Sequence, residues 1–95
     1  MRHCIIVKFK DHENWRKLLP EIKNHFDKAL EIEGISSVKL YDSCSTRENR
    51  FHLMIELTMT DEGLLNFDKS DVHLDWKKNY GDLLESKTIF DYERG

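Results

Sequence analysis

The chain has 95 residues and a formal net charge of −3, from 15 lysines and arginines, 18 aspartates and glutamates and five neutral histidines. This length accommodates one domain, and we expect residues 1–95 to form it. Mild acidity without a basic stripe argues against a nucleic-acid partner. With 39% hydrophobic residues and no apolar run near the roughly 20 that span a bilayer, we expect neither disorder nor a membrane partner.

The two cysteines favour a cytoplasmic location. No secretion signal is visible, so we expect no disulfide. Cys4 lies in an apolar segment and is expected to be a small buried side chain, whereas Cys44 lies among serines and a threonine and is expected to be exposed. The absence of a Cys-x-x-Cys pair argues against structural zinc.

The first third of the chain predicts a strand followed by a helix. The strand spans His3–Phe9, and Asn14 in the polar turn after it is a candidate helix cap. Apolar residues then recur at spacings of three and four, which is typical of one helix face. Pro20 is expected to kink or split this helix, and Gly34 to end it. The apolar face comprises Trp15, Leu18, Ile22, Phe26, Ala29 and Leu30.

Two strands, two helices and a final strand are expected in the remainder. The two strands span Ile35–Tyr41 and Phe51–Met59, with a polar loop between them. Thr60 with Asp61, and Ser70 with Asp71, are N-cap residues for two helices. The second of these helices has apolar residues as far as Leu84, and the last strand spans Thr88–Tyr92.

This order, β-α-β-β-α-β, predicts an α+β, ferredoxin-like fold with both helices on one face of an antiparallel sheet. The first strand is apolar on both faces, with Cys4 and Ile6 on one and Ile5, Val7 and Phe9 on the other. A sheet with one solvated face alternates apolar and polar residues. The helix-free face therefore needs a cover, and we predict a twofold homodimer whose two sheets face each other.

Four segments of the chain resemble the stress-responsive dimeric α/β-barrel (Dabb) family. His3–Lys10 is similar to the family's opening strand, and Glu33-Gly34-Ile35 to its end-of-helix segment. Residues Phe67–His73 match the family's Tyr-x-x-His-Pro-x-His motif in part, with Phe67 at the tyrosine and Ser70 at the first histidine. The ending Ile89-Phe90-Asp91-Tyr92 is similar to that of a plant polyketide cyclase in the family.

The resemblance implies a homodimer in which two four-stranded sheets form a barrel, each protomer having a cleft between its sheet and its helices or near the barrel mouth. A few members of the family resemble cofactor-independent cyclases that use histidine as acid and base. The wider superfamily includes small monooxygenases, isomerases and haem-handling enzymes. We expect no cofactor for this chain.

His73 and His3 are the candidate catalytic residues. His73 follows a helix cap and matches the last histidine of the family motif, and an imidazole gives and takes protons near neutral pH. His3 shares a strand face with Ile5, Val7 and Phe9. If the two imidazoles meet in one pocket, they could remove a proton α to a carbonyl and stabilise the oxyanion. A capping or packing role is the structural alternative for each.

The candidate substrate-binding residues are apolar or lie beside an apolar face. Phe67 replaces a tyrosine that could donate a hydrogen bond to a substrate carbonyl, which weakens the case for a cyclase and favours an apolar or aromatic ligand. His25 lies beside the apolar face of the first helix, where a structural role is the alternative. The other candidates are Ile5, Val7 and Phe9.

A metal site is not expected. Asp71, His73 and Asp75 are spaced two apart, and such neighbours diverge around a helix. His12 and His52 are expected to be surface or sheet-face residues without convergent partners.

Three hypotheses remain, and the sequence leaves open whether the protein is an enzyme. The first is a Dabb-type homodimer that binds a small carbonyl or aromatic compound and cyclises, isomerises or cleaves it. The second is a non-enzymatic, stress-responsive domain with a vestigial cleft, and the third is a monooxygenase or haem-handling relative. One enclosed pocket shared by His3 and His73 would favour the first hypothesis, whereas filling of the cleft by Phe67 and Trp76 would favour the second.

Overall fold

Four antiparallel strands form one sheet, as the ferredoxin-like prediction requires, and their order across it is Ile35–Asp42, Leu53–Met59, Arg2–Phe9 and Leu84–Tyr92. The computed structural model describes residues 1–94. The strands are β1 (Arg2–Phe9), β2 (Ile35–Asp42), β3 (Leu53–Met59) and β4 (Leu84–Tyr92), and the helices are α1 (Leu19–Asp27), α2 (Asp61–Asp68) and α3 (Asp71–Tyr80).

Side-chain caps begin the two later helices, as predicted. Thr60 Oγ1 accepts a hydrogen bond from the Gly63 N–H at 3.0 Å, and Ser70 Oγ accepts one from the His73 N–H at 3.2 Å. Pro20 splits the first helical segment as expected: a 3₁₀ turn over Trp15–Leu18 precedes α1, and the proline is the second residue of α1. At that position its missing N–H costs no intrahelical bond.

Several predicted boundaries and one predicted cap are wrong. Asn14 makes no capping hydrogen bond. Helix α3 ends at Tyr80 rather than Leu84, because Gly81–Leu83 forms a 3₁₀ turn and Leu84 pairs with Phe9 across the sheet. Strand β4 accordingly begins at Leu84 instead of Thr88. Strand β3 begins at Leu53, so that Phe51 lies outside it and is 40% exposed.

Two glycines allow α2 to lie directly against the start of β2. Gly34 has a φ of +96°, a conformation that side chains disfavour, and it lies in the turn before β2. The prediction that it ends the first helical region is wrong, because that region ends at Glu31 and Ile32 is already extended. A Cβ atom built on Gly63 would lie 2.5 Å from the carbonyl oxygen of Gly34. This contact fixes the approach of helix to sheet.

Both sheet faces carry apolar side chains, as predicted. The face under the helices is the core, which includes Phe9, Trp15, Phe26, Phe67 and Trp76. On the helix-free face, Ile6 lies opposite Met54, and Cys4 lies opposite Phe90, which is 60% exposed. Cys4 is buried and Cys44 is exposed, as expected. Among residues 1–94 no helix is long and apolar enough to cross a membrane.

Candidate functional site

His3 is a buried side chain near the start of β1 and lies opposite Asp91 of β4. Its Nδ1 is 2.5 Å from Oδ1 of Asp91. With the imidazole neutral, Nδ1–H donates to the carboxylate and Nε2 is the proton acceptor. Asp91 thereby orients His3 as a carboxylate orients a catalytic base. Asp91 is not among the site residues predicted from the sequence, although it is the lone acidic residue in the segment Ile-Phe-Asp-Tyr.

His73 lies in the first turn of α3 and is half-buried. Its Nδ1 is 3.0 Å from the carbonyl oxygen of Asp68. A carbonyl accepts only from an N–H, so Nδ1 carries a proton and Nε2 of the neutral ring is free to accept one. The neutral rings of His73 and His3 are therefore the same tautomer, with the proton on Nδ1 and the acceptor at Nε2.

Phe67 contacts both candidate catalytic histidines. Its ring centre is 6.0 Å from that of His3 and 5.0 Å from that of His73. The ring is only 1% exposed, and Trp76 is 2% exposed. Clefts mark the surface of residues 1–94, and five of them are lined by neither His3 nor Phe67 nor His73. The space between sheet and helices at this point is filled by side chains.

His25 and the apolar residues of β1 are part of the packed interior. The Nε2 atom of His25 is 2.7 Å from the carbonyl oxygen of Val72, so it donates to the backbone of α3. Its ring meets the edge of Phe26 at 5.5 Å. Ile5 and Val7 belong to the core and are at most 2% exposed. These contacts favour a structural role for all three predicted ligand-binding residues.

Phe9 lines a cleft at the opposite end of β1 from His3. The cleft, which we call the apolar cleft, has a volume of about 340 Å³ and is bounded mainly by Phe9, Trp15, Leu18 and Leu83. Phe9 stacks on Trp15 with ring centres 5.7 Å apart and planes within 9°. Charged and polar residues at its rim are Lys10, Asp11, Asn14, Lys17 and Asp82. Its volume and lining are typical of a small-molecule site.

His12 and His52 converge, contrary to the sequence prediction. Their ring centres are 5.3 Å apart, and His52 stacks on Trp15 at 4.8 Å. The prediction was wrong because the β1–β3 pairing brings His52 beside Phe9, whose N–H donates to His52 Nδ1 at 3.0 Å. Residues 12 and 52 are far apart in the chain, so only the sheet register reveals the pair. Within the described residues, no group of three or more His, Cys, Asp and Glu side chains is arranged to hold a metal ion.

No protein-family model and no curated protein sequence matches the chain. Solved structures do match. A Dabb-family protein with a ferredoxin-like fold from Mesorhizobium loti is 12% identical, with a TM-score of 0.75 over 98% of this chain and 94% of that chain. A hydroxynitrile lyase from Passiflora edulis is 20% identical, with a TM-score of 0.75 over 96% of this chain and 89% of that one.

A dimeric ferredoxin-like protein from Thermobifida fusca also matches, at 9% identity and a TM-score of 0.74 over 94% of this chain and 85% of that one. At such identities the likeness concerns the fold. These structural matches confirm the ferredoxin-like fold, and they confirm the resemblance to Dabb proteins as a likeness of fold. The similarity to a plant polyketide cyclase stays a prediction.

Proposed function

We propose that the protein is a homodimeric, small-ligand-binding member of the Dabb family whose ligand occupies the apolar cleft. The observation that carries this proposal is the contrast between two regions of the protomer. The region of His3 and His73 is filled by Phe67, whereas the apolar cleft offers about 340 Å³ beside two stacked aromatic rings. Burial of apolar ligand surface, chiefly against the more accessible walls Leu18 and Leu83, supplies the binding free energy.

A titration with acetophenone, a small aromatic carbonyl compound, tests the ligand site. We expect saturable NMR shifts of the Trp15 indole and the Leu83 methyl groups. The variant Leu83→Trp fills the cleft and should weaken binding at least tenfold, whereas Leu65→Trp, at an exposed position of α2, should leave binding unchanged. Equal affinity of both variants, or shifts centred on His73, would overturn the assignment.

The helix-free sheet face supports the homodimer. It presents Ile6, Met54, Tyr41 and Phe90, and the last two are large, exposed and apolar in the isolated protomer. A second copy of the same face covers such a surface with matching chemistry, and twofold pairing is the commonest arrangement of identical chains. The dimeric protein from Thermobifida fusca has the same fold, which supports this arrangement.

Proton transfer by His3 and His73 is a second candidate function. It is favoured by one observation: each Nδ1 atom meets an oxygen acceptor, which leaves each Nε2 free to act as a base. The Passiflora edulis enzyme of this fold suggests a hydroxynitrile as a probe. A base would remove the hydroxyl proton, the carbonyl would form as the C–CN bond breaks, and cyanide would leave and take up a proton.

Release of cyanide from an aromatic hydroxynitrile tests this second candidate. We expect activity above that of buffer, lost in His73→Ala and kept in His12→Ala, because His12 belongs to another cluster. Activity equal to that of buffer, or full activity in His73→Ala, would exclude His73 as the base for this substrate.

A further inference from the structure

A second cleft, distinct from the apolar cleft, adjoins Trp15. We call it the histidine cleft and define it by His12, Trp15, Arg16, Arg47 and His52, which line a volume of about 350 Å³. Ser45 and Thr46 add hydroxyl groups to its wall, and Glu13 and Glu48 add carboxylates. It lies between the turn after β1 and the loop after β2. Neither loop belongs to the region of His3 and His73.

His52 offers a fixed hydrogen-bond donor to this cleft. Its Nδ1 accepts the Phe9 N–H, so the neutral ring carries its proton on Nε2. The ring of His52 stacks parallel to the indole of Trp15, with planes within 5°. Burial, followed by the neighbouring His12 and Lys8 charges, lowers the pKa of His52, so the ring is a neutral donor near pH 7.

The basic side chains of the cleft differ in how many hydrogen bonds and ion pairs they already make. Arg16 lies over the Trp15 ring at 4.3 Å and donates to the carbonyl oxygen of Ser43. His12 Nε2 is 2.8 Å from Glu85, which also meets Lys8 at 3.4 Å. Arg47 is an exposed side chain of the loop, and its backbone N–H, rather than its guanidinium, donates to Ser45. Its guanidinium can therefore turn to a ligand with little loss of existing bonds.

We propose that the histidine cleft binds a small aromatic carboxylate. In this assignment the carboxylate accepts from the Nε2–H of His52 and from the guanidinium of Arg47, a pair of donors that suits a planar anion. The aromatic ring packs beside the partly buried imidazole of His52, because Trp15 is only 5% exposed and is already covered by His52 and Arg16. Glu13 and Glu48 stand at the same cleft and disfavour larger or multiply charged anions such as phosphate esters.

A titration with benzoate, monitored by the ring signals of His52 and Trp15, tests the proposal. We expect saturable shifts in both rings, with benzamide, the neutral analogue, binding at least tenfold more weakly. Arg47→Gln should weaken benzoate about tenfold, as expected for loss of a charge-assisted hydrogen bond. Arg50→Gln is the matched control, because this arginine of the same loop bonds to Asn49 and is not one of the cleft residues.

Three results would overturn the proposal. They are the absence of saturable shifts at tens of millimolar benzoate, equal binding of benzamide, and an equal loss of affinity in Arg47→Gln and Arg50→Gln. Both variants change exposed loop side chains, and an unchanged amide spectrum would show that each remains folded. The variant Leu83→Trp separates this site from the apolar cleft: it should leave benzoate binding intact while it weakens acetophenone binding at least tenfold.

Discussion

The Nδ1 atom of His3 lies 2.5 Å from Oδ1 of Asp91, its partner across strands β1 and β4. This pair joins a buried imidazole to a half-exposed carboxylate at the edge of the sheet. It sets the tautomer of His3 and links the last strand to the core.

Removal of the Asp91 carboxylate should allow the His3 ring to adopt either neutral tautomer. In Asp91→Ala we expect the nitrogen NMR signals of His3 to change from a single Nδ1–H tautomer to a mixture. Loss of a partly exposed bond of this kind should lower the free energy of unfolding by about 0.5–1.5 kcal/mol. Asp75→Ala, an exposed change on α3, is the control. An unchanged His3 spectrum in Asp91→Ala would mean that the pair is not formed in solution.

Replacement of Gly63 by alanine should be strongly destabilising. The added Cβ would lie 2.5 Å from the Gly34 carbonyl oxygen, so helix α2 must shift away from the sheet. We expect a loss of about 2–4 kcal/mol in urea denaturation.

Gly81→Ala is the matched control for that measurement. Gly81 has nothing within 4 Å of its Cβ position and a right-handed helical conformation. This change should be neutral or stabilise the fold by up to about 1 kcal/mol. Equal effects at the two glycines would contradict the packing described for Gly34 and Gly63.

Tyr80 should make the fold sensitive to alkaline pH. Burial and the hydrogen bond to Glu21 raise the pKa of Tyr80 to about 12, above the value of about 10 for an unfolded chain. The unfolded chain loses its proton first, so the stability that Tyr80 contributes is complete below pH 10 and is lost as the pH rises to about 12.

The variant Tyr80→Phe measures this effect. The difference between the wild-type and Tyr80→Phe unfolding free energies should be constant below pH 10 and change by about 2 kcal/mol by pH 12. Denaturant titrations at matched pH values supply both curves, and because the other tyrosines and the lysines titrate in both proteins, their contribution cancels. A difference that does not vary with pH would refute the burial of Tyr80.

Charge on the helix-free sheet face should prevent dimerisation. Phe90→Asp places a carboxylate on the face that forms the expected interface, where a second copy would bury it. Sedimentation should show a dimer for the wild type and a monomer for Phe90→Asp. Leu65→Asp, on the helix side and 68% exposed in the wild type, should remain a dimer. A monomeric wild type at micromolar concentration would rule out the homodimer.

Local patterns predicted much of this fold because they report on local physics. Alternation along His3–Phe9 assigned both faces of β1 correctly, and Thr60 and Ser70 marked two helix starts through their side-chain oxygens. The end of α3 was harder to predict. Apolar residues at 83 and 84 continue a helical pattern, yet the pairing of Leu84 with Phe9 places the second of them in a strand.

The candidate site was less accessible to sequence reasoning because it depends on distant residues. The partnership of His3 with Asp91 follows from strand register, and so does the approach of His52 to Phe9. The filling of the interior by Phe67 and Trp76 depends on side-chain volumes in three dimensions. Each of these features appears only when strands and helices are assembled.

The position of a bound aromatic ketone decides whether the apolar cleft is the ligand site. Intermolecular NOEs between acetophenone and the protein report which side chains surround the ligand. We predict contacts to Phe9, Leu18 and Leu83, the walls of the apolar cleft. Contacts to Phe67 and His73, with none to Leu83, would place the ligand between the sheet and the helices and rule out the apolar cleft as its site.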